Sequence, residues 1–152
     1  MRTAHESPET LGREESLALL ATVPLGRVAF TDRALPAVQP VDFVLDGDRS
    51  VIVRTGEDSE LAAALRGAIV AFEADDIDPG TATGWSVTLV GQAVQVTDPA
   101  EIAHVERLRL HPWAPGRRRH FIRIRPRHVS GARMARPGRA EPGTARALTP
   151  SP

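Results

Sequence analysis

Residues 84–98 read GWSVTLVGQAVQVTD and carry the longest strand signal in the chain. Apolar residues, four of them Val, recur along residues 85–97, which is typical of a strand. Gly91 lies inside this segment, and a glycine inside a strand favours a bulge or a sharp bend. The pattern therefore predicts a long strand that bends near its middle.

Shorter strand signals lie on both sides of this segment. The turn Asp46-Gly47-Asp48 is flanked by apolar runs and predicts a hairpin. Together with residues 85–97, six strands are predicted, the other five at residues 26–31, 37–45, 50–55, 68–74 and 120–130. Capping residues and apolar spacing predict three helices, at residues 11–22, 58–66 and 99–108. We therefore expect a mostly β fold, a small antiparallel barrel with short helices plugging its ends or gaps.

The two ends of the chain differ in composition from its middle. Residues 132–152 are rich in Pro, Gly, Ala and Arg and hold almost nothing large to bury, and residues 1–10 are similar. Such segments cannot offset the entropy of ordering, so both are predicted to be disordered. This leaves residues 11–131 as a single domain, which suits a chain of 152 residues.

Composition excludes several kinds of site. The chain has no Cys, which rules out disulfides and thiolate chemistry. Its five His lack tight ligand spacing, so no metal site is predicted. No apolar run approaches the roughly 20 residues of a membrane span, and the first residues lack the apolar stretch of a signal peptide. We therefore expect a soluble, cytoplasmic protein with no membrane partner.

Opposite charges are segregated along a chain whose formal net charge is zero. Residues 27–80 hold 5 Arg and 11 acidic residues, whereas residues 104–130 hold 8 Arg and one acidic residue. We expect these regions to pair within one fold or across a dimer, or the basic patch to hold an anionic ligand. Nucleic-acid binding is the weaker alternative, because the patch lacks Lys and interleaved aromatic residues. No nucleic-acid partner is expected.

The order of several segments resembles the pyridoxamine 5′-phosphate oxidase-like family, especially its small actinobacterial members. The segments are VPLGRVAFTD, LPAVQPVDFVLDGD, VIVRT…SELAAAL, VAFEADD, GWSVTLVGQAVQVTD and HPWAPG. The resemblance implies a six-stranded split barrel, usually a homodimer, with flavin mononucleotide (FMN) bound in a groove between subunits. Some relatives use a deazaflavin or haem instead, so deazaflavin is an alternative cofactor.

The family places its flavin phosphate where Arg54 and Thr55 end a strand and Ser59 begins the next helix. This position is chemically suitable, because a guanidinium, a hydroxyl and free backbone N–H groups can all bind phosphate oxygens. Relatives commonly have a basic residue where this chain has Glu60. Flavin binding is then weakened, lost, or restored by Arg from the basic region.

The acidic surroundings of Arg54 also have an explanation that needs no ligand. Acidic residues in a first helical turn stabilise the helix dipole, which accounts for Glu60. Arg54 would then pair with Asp46 or Asp48 at the end of a hairpin.

Three residues of another strand are candidates to contact the flavin ring. Pro40, Val41 and Asp42 match the strand that runs along the ring in relatives, where backbone groups read its polar edge. Relatives often have Asn at the position of Asp42, and an ionised Asp cannot donate that hydrogen bond. Trp85 and Trp113 are candidates to stack on the ring. Their alternative is a packing role, in the core or at a dimer interface for Trp85.

These observations favour a homodimeric, flavin-dependent oxidoreductase that acts on an unidentified small substrate. No side chain stands out as a general acid or base, so none is assigned as catalytic. The alternative is a split-barrel protein without catalysis that binds or sequesters a flavin, a deazaflavin, haem or another anionic ligand. Glu60 is the feature that favours this alternative.

Overall fold

The computed structural model describes residues 8–56, 60–108 and 120–134. The described residues form seven strands and three helices. In chain order these are β1 (Glu9–Leu11), α1 (Arg13–Leu20), β2 (Leu25–Asp32), β3 (Leu35–Leu45), β4 (Val51–Thr55), α2 (Glu60–Ala64), β5 (Ile69–Asp78), β6 (Thr83–Gln95), α3 (Pro99–Arg107) and β7 (His120–Met134). The six predicted strands correspond to β2 through β7.

The strands form one antiparallel sheet that closes on itself. Their order is β1-β7-β4-β3-β2-β5-β6, and β6 pairs in turn with β7. Six strands thus complete a ring, while the three-residue β1 extends the sheet beside the far end of β7. The predicted mostly β, six-stranded barrel is confirmed. β1 was not predicted, because three residues are too few to show a period.

Alternate residues of the strands fill the inside of the barrel. Phe43 and Phe72 meet there edge to face, with their ring centroids 4.7 Å apart. Leu17 and Leu20 of α1 and Leu61 of α2 are buried in the same core. A second, smaller cluster lies on the outer wall beneath α3 and consists of Ile52, Val96, Val105 and Phe121. The wall formed by β4 and β7 therefore packs apolar residues on both faces where α3 covers it.

The ordered part of the chain is longer than the predicted domain at both ends. β1 begins at Glu9 and β7 continues to Met134, whereas the domain was predicted to span residues 11–131. Composition underestimates this order because backbone pairing, rather than burial of large side chains, holds these ends: Glu9 pairs with Arg133, and Met134 pairs with Gly84. The remaining predicted disorder, at residues 1–7 and 135–152, lies outside the described residues.

The predicted bend occurs at Gly91. Val90 pairs with His128 and Gly91 pairs with Pro126, so Arg127 is an extra residue on β7 and forms a bulge. A Cβ on Gly91 would lie only 2.0 Å from the backbone oxygen of Arg125. The bulge therefore requires glycine at this position.

Replacing Gly91 with alanine should destabilise the barrel by about 1–3 kcal/mol, because the added methyl group overlaps backbone that belongs to the closing pair of strands. Urea unfolding would measure the change. Gly47→Ala is the matched control, since a Cβ there meets nothing within 4 Å. Equal free energies of unfolding for the two variants would contradict this account of the bulge.

Candidate functional site

The predicted phosphate cradle lies at the end of β4. The guanidinium of Arg54 covers the ring of Phe121, with Cζ 5.6 Å from the ring centroid. Arg54 Nε and Thr55 Oγ1 are buried and have no hydrogen-bond partner among the described residues. Leaving a buried polar atom unpaired costs about 1–3 kcal/mol. A ligand oxygen that paired with either atom would recover that free energy, so the residues present fit an oxyanion.

Arg54 and Thr55 face opposite sides of the barrel wall, as consecutive strand residues do. Arg54 lies on the outer face beside Phe121, whereas Thr55 lines a small depression together with Arg66, Gln95 and His120. One phosphate can therefore contact both side chains only beyond the end of the strand. Gly56 occupies that position, and a Cβ built on it meets nothing within 4 Å.

The other parts of the predicted cradle are only partly described. Glu60 belongs to α2, which ends at Ala64, two residues before the end of the helix predicted at residues 58–66. Ser59 lies outside the described residues, as does Trp113. Of the predicted phosphate contacts, the described residues thus place Arg54 and Thr55.

The β3–β4 ladder ends beside this cradle. Its last described pair is Phe43 with Val53, although β3 and β4 both continue as strands past this pair. Val41 is buried in the core, Pro40 is exposed and Asp42 is half-buried. Residues 40–42 are thus the part of β3 that passes the end of β4 beside the cradle.

Trp85 packs inside the barrel. It is 6% exposed and belongs to the main core. This is the packing alternative that the sequence left open, and it leaves little of the indole surface for stacking on a cofactor.

A cluster centred on Arg123 was not predicted as a site. The Arg123 side chain is only 7% exposed. Its Nη1 donates to Asp46 Oδ2 at 2.9 Å, and its Nε donates to Glu101 Oε1 at 2.9 Å. Nη1 also donates to Asp48 and to the hydroxyl of Ser50. Asp46 and Asp48 therefore pair with Arg123 and not, as the ligand-free alternative proposed, with Arg54.

A family model described as pyridoxamine 5′-phosphate oxidase matches residues 12–133. The chain belongs to this family. The uncharacterized protein Rv0080 of Mycobacterium tuberculosis is 45% identical over 130 residues, which cover 82% of this chain and 84% of that protein. The family that the order of segments predicted is confirmed.

Two solved structures have the same fold. A protein of Mycobacterium smegmatis described as an FAD binding protein is 34% identical, with a TM-score of 0.71, over 83% of this chain and 97% of its own. The conserved protein DIP1874 of Corynebacterium diphtheriae, described as of unknown function, is also 34% identical, with a TM-score of 0.71, over 84% and 98% of the two chains.

In this family member, the Arg123 cluster keeps the carboxylate of Asp46 ionised. Burial raises the pKa of Asp46, but hydrogen bonds from His104, the backbone of Gly47 and Arg123 outweigh it and lower the pKa from 3.8 to about 2. The pKa of Asp46 is lower in the folded protein than in the unfolded chain, so its ionised carboxylate stabilises the fold. This stabilisation is fully present above the pKa of the unfolded chain. It is lost as the pH falls from 3.8 towards about 2.

The sequence did not reveal the Arg123 cluster. Strand alternation predicts that the arginines of β7 face outward, where a side chain is expected to lie in solvent. Arg123 and Arg125 do share the outer face, but α3 packs over this part of the wall and brings Glu101 to Arg123. The segregation of charge was the one available signal. It left open pairing within the fold or across a dimer, and Arg123 pairs with Asp46 and Asp48 within the fold.

A second charged cluster lies on the outer face of β2 and β5. Arg27 Nη1 is 3.0 Å from Glu73 Oε2 and 3.3 Å from Asp75 Oδ2. Burial and the neighbouring Asp75 raise the pKa of Glu73, and the guanidinium of Arg27 opposes this only in part. Two carboxylates thus share one cation on this face.

The part of the chain that the structure describes contains no group of three potential metal ligands. Over the same residues, no helix is long and apolar enough to cross a membrane.

Arg123→Leu should lower the free energy of unfolding by about 3 kcal/mol, because it leaves the buried carboxylate of Asp46 without its cation. Arg125→Leu is a matched control on the same strand face, since the Arg125 side chain is 70% exposed. That substitution should change stability by less than about 0.5 kcal/mol. Urea unfolding curves measure both effects, and similar losses in the two variants would show that the cluster does not stabilise the fold.

Proposed function

We propose that the chain binds a flavin, specifically FMN, at the end of β4 and uses it in an oxidoreductase reaction on a small substrate. The observation that carries this proposal is the pair of buried, unpaired atoms Arg54 Nε and Thr55 Oγ1. Their position agrees with the phosphate site of the family. The similar protein of Mycobacterium smegmatis, described as FAD binding, supports a flavin over other anionic ligands.

The residues at this site have separate roles in the proposal. Arg54 and Thr55 bind the phosphate from the two sides of the strand end, and the neutral hydroxyl of Thr55 donates one hydrogen bond. Backbone groups of residues 40–42 orient the ring where β3 leaves the β4 ladder. A bound flavin supplies electron or hydride transfer, and the protein supplies binding and orientation.

The proposed assembly is a homodimer. Val38 continues the outer face of β3 that carries Pro40 and Asp42, and it is 67% exposed. Leu35 on β3 and Ile69 on β5 are also more than half exposed. A second copy that covered these apolar side chains would bury them and close the open side of the cradle, as an interface between identical subunits does.

A second candidate function is binding without catalysis, and Glu60 favours it. This residue lies in α2 where relatives commonly have a basic residue, which would attract the phosphate. A carboxylate repels a nearby phosphate by an amount on the order of 1 kcal/mol after solvent and salt screen the charges. A protein that needs only to sequester a cofactor, including a deazaflavin, tolerates such a weakened anchor.

Native mass spectrometry of the purified protein tests the proposal directly. We expect an assembly of two 16.4 kDa chains that carries non-covalent FMN. The mass of FAD or of a deazaflavin in its place would correct the cofactor. A monomer without any flavin, even after incubation with FMN, would contradict the proposal.

Thr55→Val should stabilise the ligand-free protein by about 1 kcal/mol, because it replaces an unpaired buried hydroxyl with a methyl group of similar shape. The same change should weaken FMN binding about tenfold, as should Arg54→Ala. Glu60→Lys should strengthen FMN binding by a similar factor. Riboflavin, which lacks the phosphate, should respond little to any of these changes.

Titration by flavin fluorescence quenching measures these affinities, and thermal unfolding measures the stability of the ligand-free variants. Thr31→Val is the control for the loss of an exposed hydroxyl and should alter neither. If Thr55→Val and Arg54→Ala both bind FMN as the parent does, the phosphate lies elsewhere.

A further inference from the structure

A groove of about 210 Å³ lies on the outer face of β6 and β7, next to α3. Its walls include Arg123, Arg125 and Arg127 from β7, Gln92 and Gln95 from β6, and Glu101 from α3. Neither the phosphate cradle nor the core accounts for this concentration of arginines.

The acidic residues near the groove do not neutralise it. Asp46 and Glu101 make their short contacts, both 2.9 Å, with Arg123. The closest carboxylate contact of Arg125 is Asp48 Oδ2 at 4.0 Å, and its side chain remains 70% exposed. Arg127 has no ion-pair partner among the described residues. Two guanidinium groups thus line the groove with little compensation.

Arg125 and Arg127 both lie on the outer face, beside the bulge opposite Gly91. Arg125 follows Arg123 on this face by ordinary strand alternation. Val129 pairs with Leu89 and Ile124 pairs with Ala93, so the inward residues keep their register on either side of the bulge. The extra residue, Arg127, is accommodated outside the barrel, on the same side as Arg125. Bulges often occur beside functional sites.

We propose that this groove binds the phosphate or carboxylate group of a small molecule through Arg125 and Arg127. A guanidinium binds either group with two parallel hydrogen bonds. Sites for drug-sized ligands usually measure about 300–1,000 Å³, so this smaller groove suits an anionic group rather than a whole flavin. Gln95 lines both the groove and the depression at Thr55. The anionic group belongs either to a separate substrate or to an extension of the molecule held at Thr55.

The test measures binding of inorganic pyrophosphate by isothermal titration calorimetry at low ionic strength. We expect the parent to bind it and the double variant Arg125→Gln/Arg127→Gln to bind it at least about tenfold more weakly. Arg33→Gln/Arg107→Gln removes the same charge from exposed positions outside the groove and should bind like the parent. Raising the salt concentration should weaken binding to the parent.

Absence of pyrophosphate binding to the parent would overturn the proposal, as would equal losses in the two double variants. Binding of a mixed-sequence oligonucleotide without any binding of pyrophosphate would also overturn it, in favour of a nucleic-acid surface. A repeat titration with FMN present identifies the source of the anionic group. If FMN competes with pyrophosphate, the anionic group belongs to the molecule held at Thr55. If the two bind independently, it belongs to a separate substrate. Both results support an anion site in the groove. A protein that binds pyrophosphate but not FMN would refute the proposed function and leave the groove supported.

Discussion

The structure depends on the pairing of β6 with β7, because this pairing closes the sheet into a barrel. β7 is fifteen residues long and pairs with β6 along most of its length, while its other edge pairs first with β4 and then with β1. Closure removes exposed edges from the six-stranded ring. Two strands of this length follow a closed, curved wall only if they bend, and the bulge at Gly91 and Arg127 provides the bend.

The two faces of β7 explain why candidate sites gather around it. Ile122 and Ile124 point inward and fill the core, so the strand is held firmly in place. The outward residues are then displayed at fixed positions: Phe121 supports Arg54, Arg123 ties the β3–β4 turn to α3, and Arg125 lines the groove. The proposed cradle and the proposed anion groove thus lie next to each other along the first half of β7, and Gln95 lines a cavity at each.

Local signals were informative wherever a short segment determined its own structure. The strand signal in residues 85–97 and the Asp46-Gly47-Asp48 turn predicted strands and a hairpin that the structure contains. Gly91 predicted the bend, because glycine weakens the interior of a strand and often marks a bulge or a tight bend. The predicted domain limits fell short at both ends, since the pairing of Glu9 with Arg133 joins residues 124 positions apart and leaves no trace in composition.

The sequence by itself determined the barrel and the family, and it proposed a phosphate site at Arg54 and Thr55. The hydrophobic period, the residue types in turns and the order of segments are properties of neighbouring residues. They can therefore be recognised in the sequence without a structure. Only the tertiary structure decided which arginines are neutralised and which are available. Arg123 and Arg125 differ by two positions on one strand face, yet α3 covers the first and leaves the second in solvent. The charge environment of a side chain depends on what packs over it, and packing between distant segments is not encoded in any local pattern.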